Sequence, residues 1–295
     1  MRTDLEEIHN DLADLKISTS VAVDNTAVIK DHTTSLQDDA ANFRKRELLD
    51  WICPTDYHVQ HRDYIERRQP DTGEWFLQDP KFQDWMQSGE STLFCPGIPG
   101  AGKTIMAALL IDRLLRSEHE AQRPVTFIYC NYKRQSEQSS KHILSSILRQ
   151  IVNIQRGVPQ VVQDFYATCK AKDITPSNTE IEQILVAVSK EILGLTIVID
   201  ALDECEAPTC RDFLSTVESL RKQCKIRFLA TSRFLPNVQS HTTFLGKPSL
   251  EVRASDQDVE KYVKSRVSDF RSPVASKTEL LQNLVSSIVS ATEGM

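Results

Sequence analysis

The run Gly97-Ile98-Pro99-Gly100-Ala101-Gly102-Lys103-Thr104 constrains this chain more than any other stretch of its sequence. Its three glycines and one proline cannot sit inside one regular helix or strand, so the segment is specified for its backbone. The short apolar run 91–95 precedes it, and from Lys103 to Leu115 apolar residues recur at helical spacing. A strand, a glycine loop and a helix in that order turn successive backbone N–H groups inward as an anion nest. The positive N-terminal end of the helix lies behind that nest. The spacing G-x-x-x-x-G-K-[ST] is the phosphate-loop pattern, in which the lysine reaches β- and γ-phosphates and the hydroxyl ligates Mg²⁺. All eight residues are expected to bind a nucleotide, with Lys103 also acting on the transferred phosphate and Thr104 on the metal.

A regular alternation surrounds the loop. Apolar runs at 91–95, 125–130, 195–202, 226–232 and 249–254 read as strands. Helical periodicity occupies 142–152, 159–169, 179–192 and 211–222 between them. Ser255 and Asp258 form a capping-box-like start to a further helix, and a last amphipathic stretch covers about 277–290. This order predicts an α/β fold, a three-layer sandwich around a mainly parallel five-stranded sheet. The expected divisions are an acidic helical segment at 1–43 and a helical or irregular lead-in at 44–90. A nucleotide-binding core at 91–254 and the start of a C-terminal helical region at 255–295 follow. In the first segment Leu5, Ile8, Leu12 and Leu15 make a two-heptad apolar stripe.

A phosphate loop needs a carboxylate to organise its metal, expected on a neighbouring strand. The run 195–200 is apolar until it ends on Asp200, a costly placement unless the carboxylate faces a cation. Asp200 is therefore the expected Mg²⁺ ligand. Asp203 and Glu204 follow past the strand end, where an acid can orient or deprotonate an attacking water. Glu204 is read as the base and Asp203 as its support. Arg233, at the end of the next strand in Leu229-Ala-Thr-Ser-Arg233, is placed to meet developing phosphate charge.

Composition excludes some alternatives. Residues 1–50 hold 6 Lys/Arg against 11 Asp/Glu, a net of −5 out of −6 for the whole chain, so no basic patch marks a nucleic-acid surface. No apolar run approaches the 18 residues of a membrane span, and no signal peptide opens the sequence, so the expected location is cytoplasmic. The seven cysteines show no zinc-like spacing and read as free thiols; Cys53 with His58 and His61 lacks a fourth ligand.

With the phosphate loop, Ile197-Val-Ile-Asp-Ala-Leu-Asp-Glu204 and Phe228–Arg233 in place, the chain resembles the fungal NACHT-domain proteins of the STAND class of P-loop NTPases. The small residue Ala201 after the metal carboxylate and the delayed acids carry the resemblance, along with stretches at 67–77 and 249–263. It implies a signal-transducing NTPase switch that binds Mg²⁺ with ATP or GTP and hydrolyses it slowly. It further implies self-association or partner chains, and a role in non-self recognition or programmed cell death. Two departures stand out: Pro236 falls two residues later than in many relatives, and the chain ends where relatives continue into helices and repeats. The alternative reading is an interaction module that binds nucleotide structurally, without meaningful turnover. A small-molecule kinase fits less well because no arginine-rich lid is visible, and a Ras-like GTPase lacks its N-K-x-D motif. Arg67, Arg68 and the turn at 71–75 are the candidates for reading the base.

Overall fold

The computed structural model describes residues 30, 32–121, 123–268, 283 and 286–288. The stripe Leu5–Leu15 and most of the stretch 277–290 lie outside the described residues. Two compact units emerge, Met1–Trp51 and Ile52–Met295. Within the first, residues 32–50 are helical. The rest concerns the second unit.

That unit opens with three short helices: α1 (Tyr57–Arg67), α2 (Glu74–Gln78) and α3 (Pro80–Gln87). Each start has a local cause. The Asp56 carboxylate accepts from His58 N, and Asp79 accepts from Lys81 N with Pro80 at the first helical position. The tight turn into α2 puts Gly73 at φ 81°, in the left-handed region. Then come β1 (Thr92–Pro96), α4 (Lys103–Ala121) and β2 (Val125–Tyr129). A 3₁₀ turn at Tyr132–Glu137 leads into α5 (Ser140–Ile154), α6 (Gln160–Lys172) and α7 (Asn178–Ser189). β3 (Leu195–Asp200), a second 3₁₀ turn (Leu202–Glu204), α8 (Ala207–Arg221) and β4 (Ile226–Ser232) complete the alternation. The short α9 (Pro236–Gln239) and α10 (Asp256–Ser268) follow.

The four strands form one parallel sheet in the order β1-β4-β3-β2. Every residue of every strand is buried, the condition that lets near-continuous Val, Ile, Leu and Phe replace an alternating pattern. Helix α4 packs against β2, β3 and β4, and α5 against β2. The α/β architecture with a parallel sheet thus follows the expectation, with two corrections.

The first concerns the fifth strand. Residues 249–254 are not a full strand: a single bridge joins Ser249 to Phe94. Three backbone hydrogen bonds nonetheless hold the segment to β1: Phe94 N to Pro248 O, Leu250 N to Phe94 O and Val252 N to Pro96 O. The ladder stops because β1 itself ends at Pro96, where the glycine loop leaves the sheet. The second concerns strand order. The carboxylate strand β3 is not beside the loop strand β1; β4 lies between them.

The capping box at α10 is half made. Ser255 Oγ accepts from Asp258 N at 3.2 Å, but the Asp258 carboxylate turns instead to Gly73 N (2.9 Å) and Trp75 Nε1 (3.2 Å). Asp258, in the first turn of α10, thereby fastens that helix to the start of α2.

Candidate functional site

The loop between β1 and α4 takes its shape from its glycines. Gly100 and Gly102 sit at φ 85° and 84°, where a side chain would strain the backbone. Gly97 is needed for a different reason: a Cβ there would lie 2.4 Å from the carbonyl oxygen of Val252, in the segment that edges β1. The loop's first residue is also tied to the sheet, Gly97 N donating to Ser232 O at 3.0 Å. Lys103 Nζ donates to the carbonyls of Gly97 and Ile98 at 2.8 Å each. Its partial burial lowers its pKa, while Asp203 and Asp200 pull the other way.

Opposite the loop, β3 ends on Asp200, only 1% exposed. Burial pushes its carboxyl up to about 6, against hydrogen bonds from the Thr231 and Thr104 hydroxyls that hold it down. Thr231 is the link that strand order creates. From β4, between the two functional strands, its Oγ1 donates to Asp200 Oδ1 at 2.6 Å and accepts from Ala201 N at 2.8 Å. Ala201 is one of the few non-glycine residues in the left-handed region, at φ 53° and ψ 49°. That reversal swings the chain off the strand into the turn Leu202–Glu204.

The turn delivers both acids. Asp203 accepts from Arg233 N at 2.9 Å and pairs with Arg233 Nε at 2.5 Å; its carboxylate is 3% exposed and the arginine side chain 50%. Glu204 Oε2 accepts from Tyr132 N at 3.0 Å, and its carbonyl accepts from Gln135 Nε2 at 2.8 Å. A cavity of about 660 Å³ lies between the loop and these groups, bordered by Lys103, Thr104, Tyr132, Asp203, Glu204 and Arg233. Of the residues singled out in the sequence for phosphate or metal chemistry, Pro99, Gly100, Gly102, Lys103, Thr104, Asp203, Glu204 and Arg233 line this one cavity, and Asp200 is tied to it through Thr104. The Thr231 hydroxyl is legible in the sequence only as a strand-end group, expected like Ser232 and Arg233 beside the γ-phosphate; its bond to Asp200 is not. Tyr132 carries no sequence signal, since its contribution is a backbone N–H.

A second cavity, about 530 Å³, shares Gly100, Gly102 and Ile105 with the first and lies on the other side of the loop. Arg67, Arg68, Thr72 and Gly73 from the lead-in line one wall, Met106 and Leu109 of α4 another, and Tyr262 of α10 a third. The Cys53, His58 and His61 grouping does not assemble: Cys53 Sγ lies 3.9 Å from His142, and His61 Nδ1 bonds the Tyr129 hydroxyl at 2.8 Å. No described helix is long and apolar enough to cross a membrane.

The parallel sheet, the loop leaving β1 and the acid ending β3 define an α/β domain of the P-loop ATPase type. The chain belongs to the nephrocystin 3 N-terminal family, whose model matches residues 71–233. No curated protein matches its sequence. Among solved structures, Cdc6p from Pyrobaculum aerophilum aligns at TM-score 0.49 and 15% identity, covering 73% of this chain and 54% of that one. The Aeropyrum pernix ORC1 protein, solved in complex with DNA, aligns at 0.45 and 19%, covering 78% and 55%. Domain III of the Thermotoga maritima replication initiation protein DnaA aligns at 0.40 and 14%, covering 76% and 80%. The chain spans about half the length of the first two.

Proposed function

We propose that this protein binds a Mg²⁺–nucleoside triphosphate and hydrolyses it slowly as a NACHT-type signalling switch. The observation that carries the reading is the single cavity with the glycine loop and Lys103 on one side and Asp203, Glu204 and Arg233 on the other. Loop N–H groups and the Lys103 ammonium hold the phosphates. Asp200 and Thr104 fit a divalent cation, since a buried carboxylate held up to about 6 beside a hydroxyl is relieved by a positive charge. A Mg²⁺ held by these two residues would supply positive charge to offset that of the phosphates.

Glu204 is the proposed base and Asp203 its support, with Arg233 stabilising charge on the terminal phosphate. Both acids are already engaged, Asp203 by Arg233 and Glu204 by Tyr132 N. An ionised carboxylate has about four acceptor sites, so these bonds orient the acids and leave capacity for a water. The second cavity, continuous with the loop, is the proposed seat of the base of ATP or GTP, with Arg67 and Arg68 on its lead-in wall. In this reading the lead-in, 44–90, contributes Arg67–Gly73 and the C-terminal helical region, 255–295, contributes Asp258–Val263 to the walls of the base site beside the core 91–254, and 1–43 is a separate acidic segment. The fungal, non-self-recognition and cell-death context, the cytoplasmic location and association with like or partner chains rest on the motif resemblance and belong to the same proposal. Nucleic acid is not a proposed partner, given the net charge of −6 without a basic patch.

The test is binding of labelled ATP and GTP, with phosphate release, for the wild type and Lys103→Ala. The expected outcome is Mg²⁺-dependent binding of at least one nucleotide, weakened about tenfold or more in the variant, a difference of about 1.4 kcal/mol. Identical behaviour of the two proteins, with neither binding, refutes it.

A further inference from the structure

Two cysteines from distant parts of the chain meet beside the acid turn. Cys130 follows the last residue of β2, and Cys205 follows Glu204; their Sγ atoms are 3.1 Å apart across 75 positions of sequence. Both are 6% exposed. A disulfide bond is about 2.05 Å long, so closing one asks the sulfurs to approach by roughly 1 Å more. The backbone of each cysteine is held locally. Cys130 N donates to Asp200 O at 3.0 Å, and Cys205 N donates back into its own turn at Leu202 O. Beyond Cys130, Tyr132 N and Gln135 Nε2 both grip Glu204. The thiol pair thus sits at the root of the two segments that hold Glu204, and drawing the sulfurs together would shift that acid.

We propose that Cys130 and Cys205 form a reversible disulfide that pins the turn Leu202–Glu204 to the end of β2 and slows hydrolysis. The regulatory part rests on the function proposed above; the bond itself does not. A hydroperoxide is the oxidant class that fits thiols this buried, being small and uncharged. Peroxide oxygen adds to one thiol sulfur, giving a sulfenic acid and a first water. The second sulfur attacks the sulfenic sulfur, the S–S bond forms, and hydroxide leaves and takes up the second thiol's proton as another water. Two thiols and one hydrogen peroxide become one disulfide and two waters, the thiols losing the two electrons that peroxide gains. The hydrogen bond from Cys205 and burial raise the Cys130 thiol well above its ordinary range. A third thiol, Cys210 in α8, is also buried beside this pair, and burial pushes it up to about 12.

The experiment compares the full chain reduced and after hydrogen peroxide, by peptide mapping with thiol alkylation, nucleotide binding and phosphate release. The expected result is one linked peptide pair joining Cys130 and Cys205. Turnover should fall about tenfold or more, the scale of losing a positioned base, while nucleotide affinity changes less than about twofold and reductant restores the rate. Cys205→Ser and Cys130→Ala should each keep basal turnover and ignore peroxide, whereas Cys210→Ser should respond like the wild type. If one substitution prevents folding, the other serves. No Cys130–Cys205 link, a link through Cys210, or an oxidised chain with unchanged turnover overturns the proposal. If the reduced chain neither binds nor hydrolyses nucleotide, the proposed function and the regulatory claim fall together. The disulfide is then decided on the peptide map alone.

Discussion

One hydroxyl settles two groups at the site. Thr231 donates to the buried Asp200 carboxylate and accepts from the backbone of Ala201, so its removal takes one of two hydroxyl donors from Asp200 and leaves the Ala201 N–H without its acceptor. Thr231→Val is expected to lower stability by about 1–3 kcal/mol, the cost of buried polar groups left unpaired, and Thr231→Ser to recover most of it; urea titration of both reads this out. Ala201 makes a different prediction. Its left-handed backbone carries a strain that glycine would not, of about 1–2 kcal/mol. Glycine's extra freedom in the unfolded chain takes back about 0.5–1 kcal/mol. Ala201→Gly should therefore stabilise the fold modestly, by about 0.5–1 kcal/mol in the same titration. A loss of stability would mean that the Ala201 methyl, 7% exposed, is packing for more than the strain costs.

At the scale of elements, the segment 248–252 has too few pairings to count as a strand but governs the loop it runs beside. Because the Val252 carbonyl occupies the space a Cβ would need, Gly97→Ala must push that segment off β1 or distort the loop. The expected cost is about 1–3 kcal/mol, with weaker nucleotide binding beyond what the stability loss explains; melting with and without nucleotide separates the two. This element also shows why parts of the fold escaped a reading of the sequence. Gly97–Thr104 was legible because no other residue types tolerate that backbone, and β1 to β4 because strands covered on both faces must be apolar throughout. The order of parallel strands was not legible. It depends on how crossover helices pack, and so the insertion of β4 between β1 and β3 left no local trace. The pairing of Cys130 with Cys205 and the Tyr132 N–H on Glu204 are consequences of that order, hidden for the same reason. The shortness of the edge segment depended on where its neighbour β1 stops, which an apolar run cannot announce.

For the molecule as a whole, one buried and one half-buried histidine set a pH dependence. Burial lowers the pKa of His61, bonded to Tyr129, and of His142 beside Cys53. The unfolded chain takes up protons first, near pH 6.5, so these residues cost stability as pH falls below that value. Asp200, raised by burial, titrates with the opposite sign, so the comparison is made against His61→Gln. The gap between wild type and variant should narrow between pH 7.5 and 5.5 in denaturant titrations; a constant gap would show that His61 is not protonated differently on folding. The clasp between Asp258 and the Gly73–Trp75 turn reaches furthest. It joins the lead-in to α10 between two walls of the second cavity, so a base lodged there would be held by a bolt as well as by its contacts. Loading and discharge would then share one barrier, and the residence time of nucleotide would be decided by how often two hydrogen bonds break together. Asp258→Ala is expected to speed association and release by similar factors, leaving the dissociation constant nearly still while the clock of the protein runs faster, which stopped-flow with a fluorescent nucleotide would time.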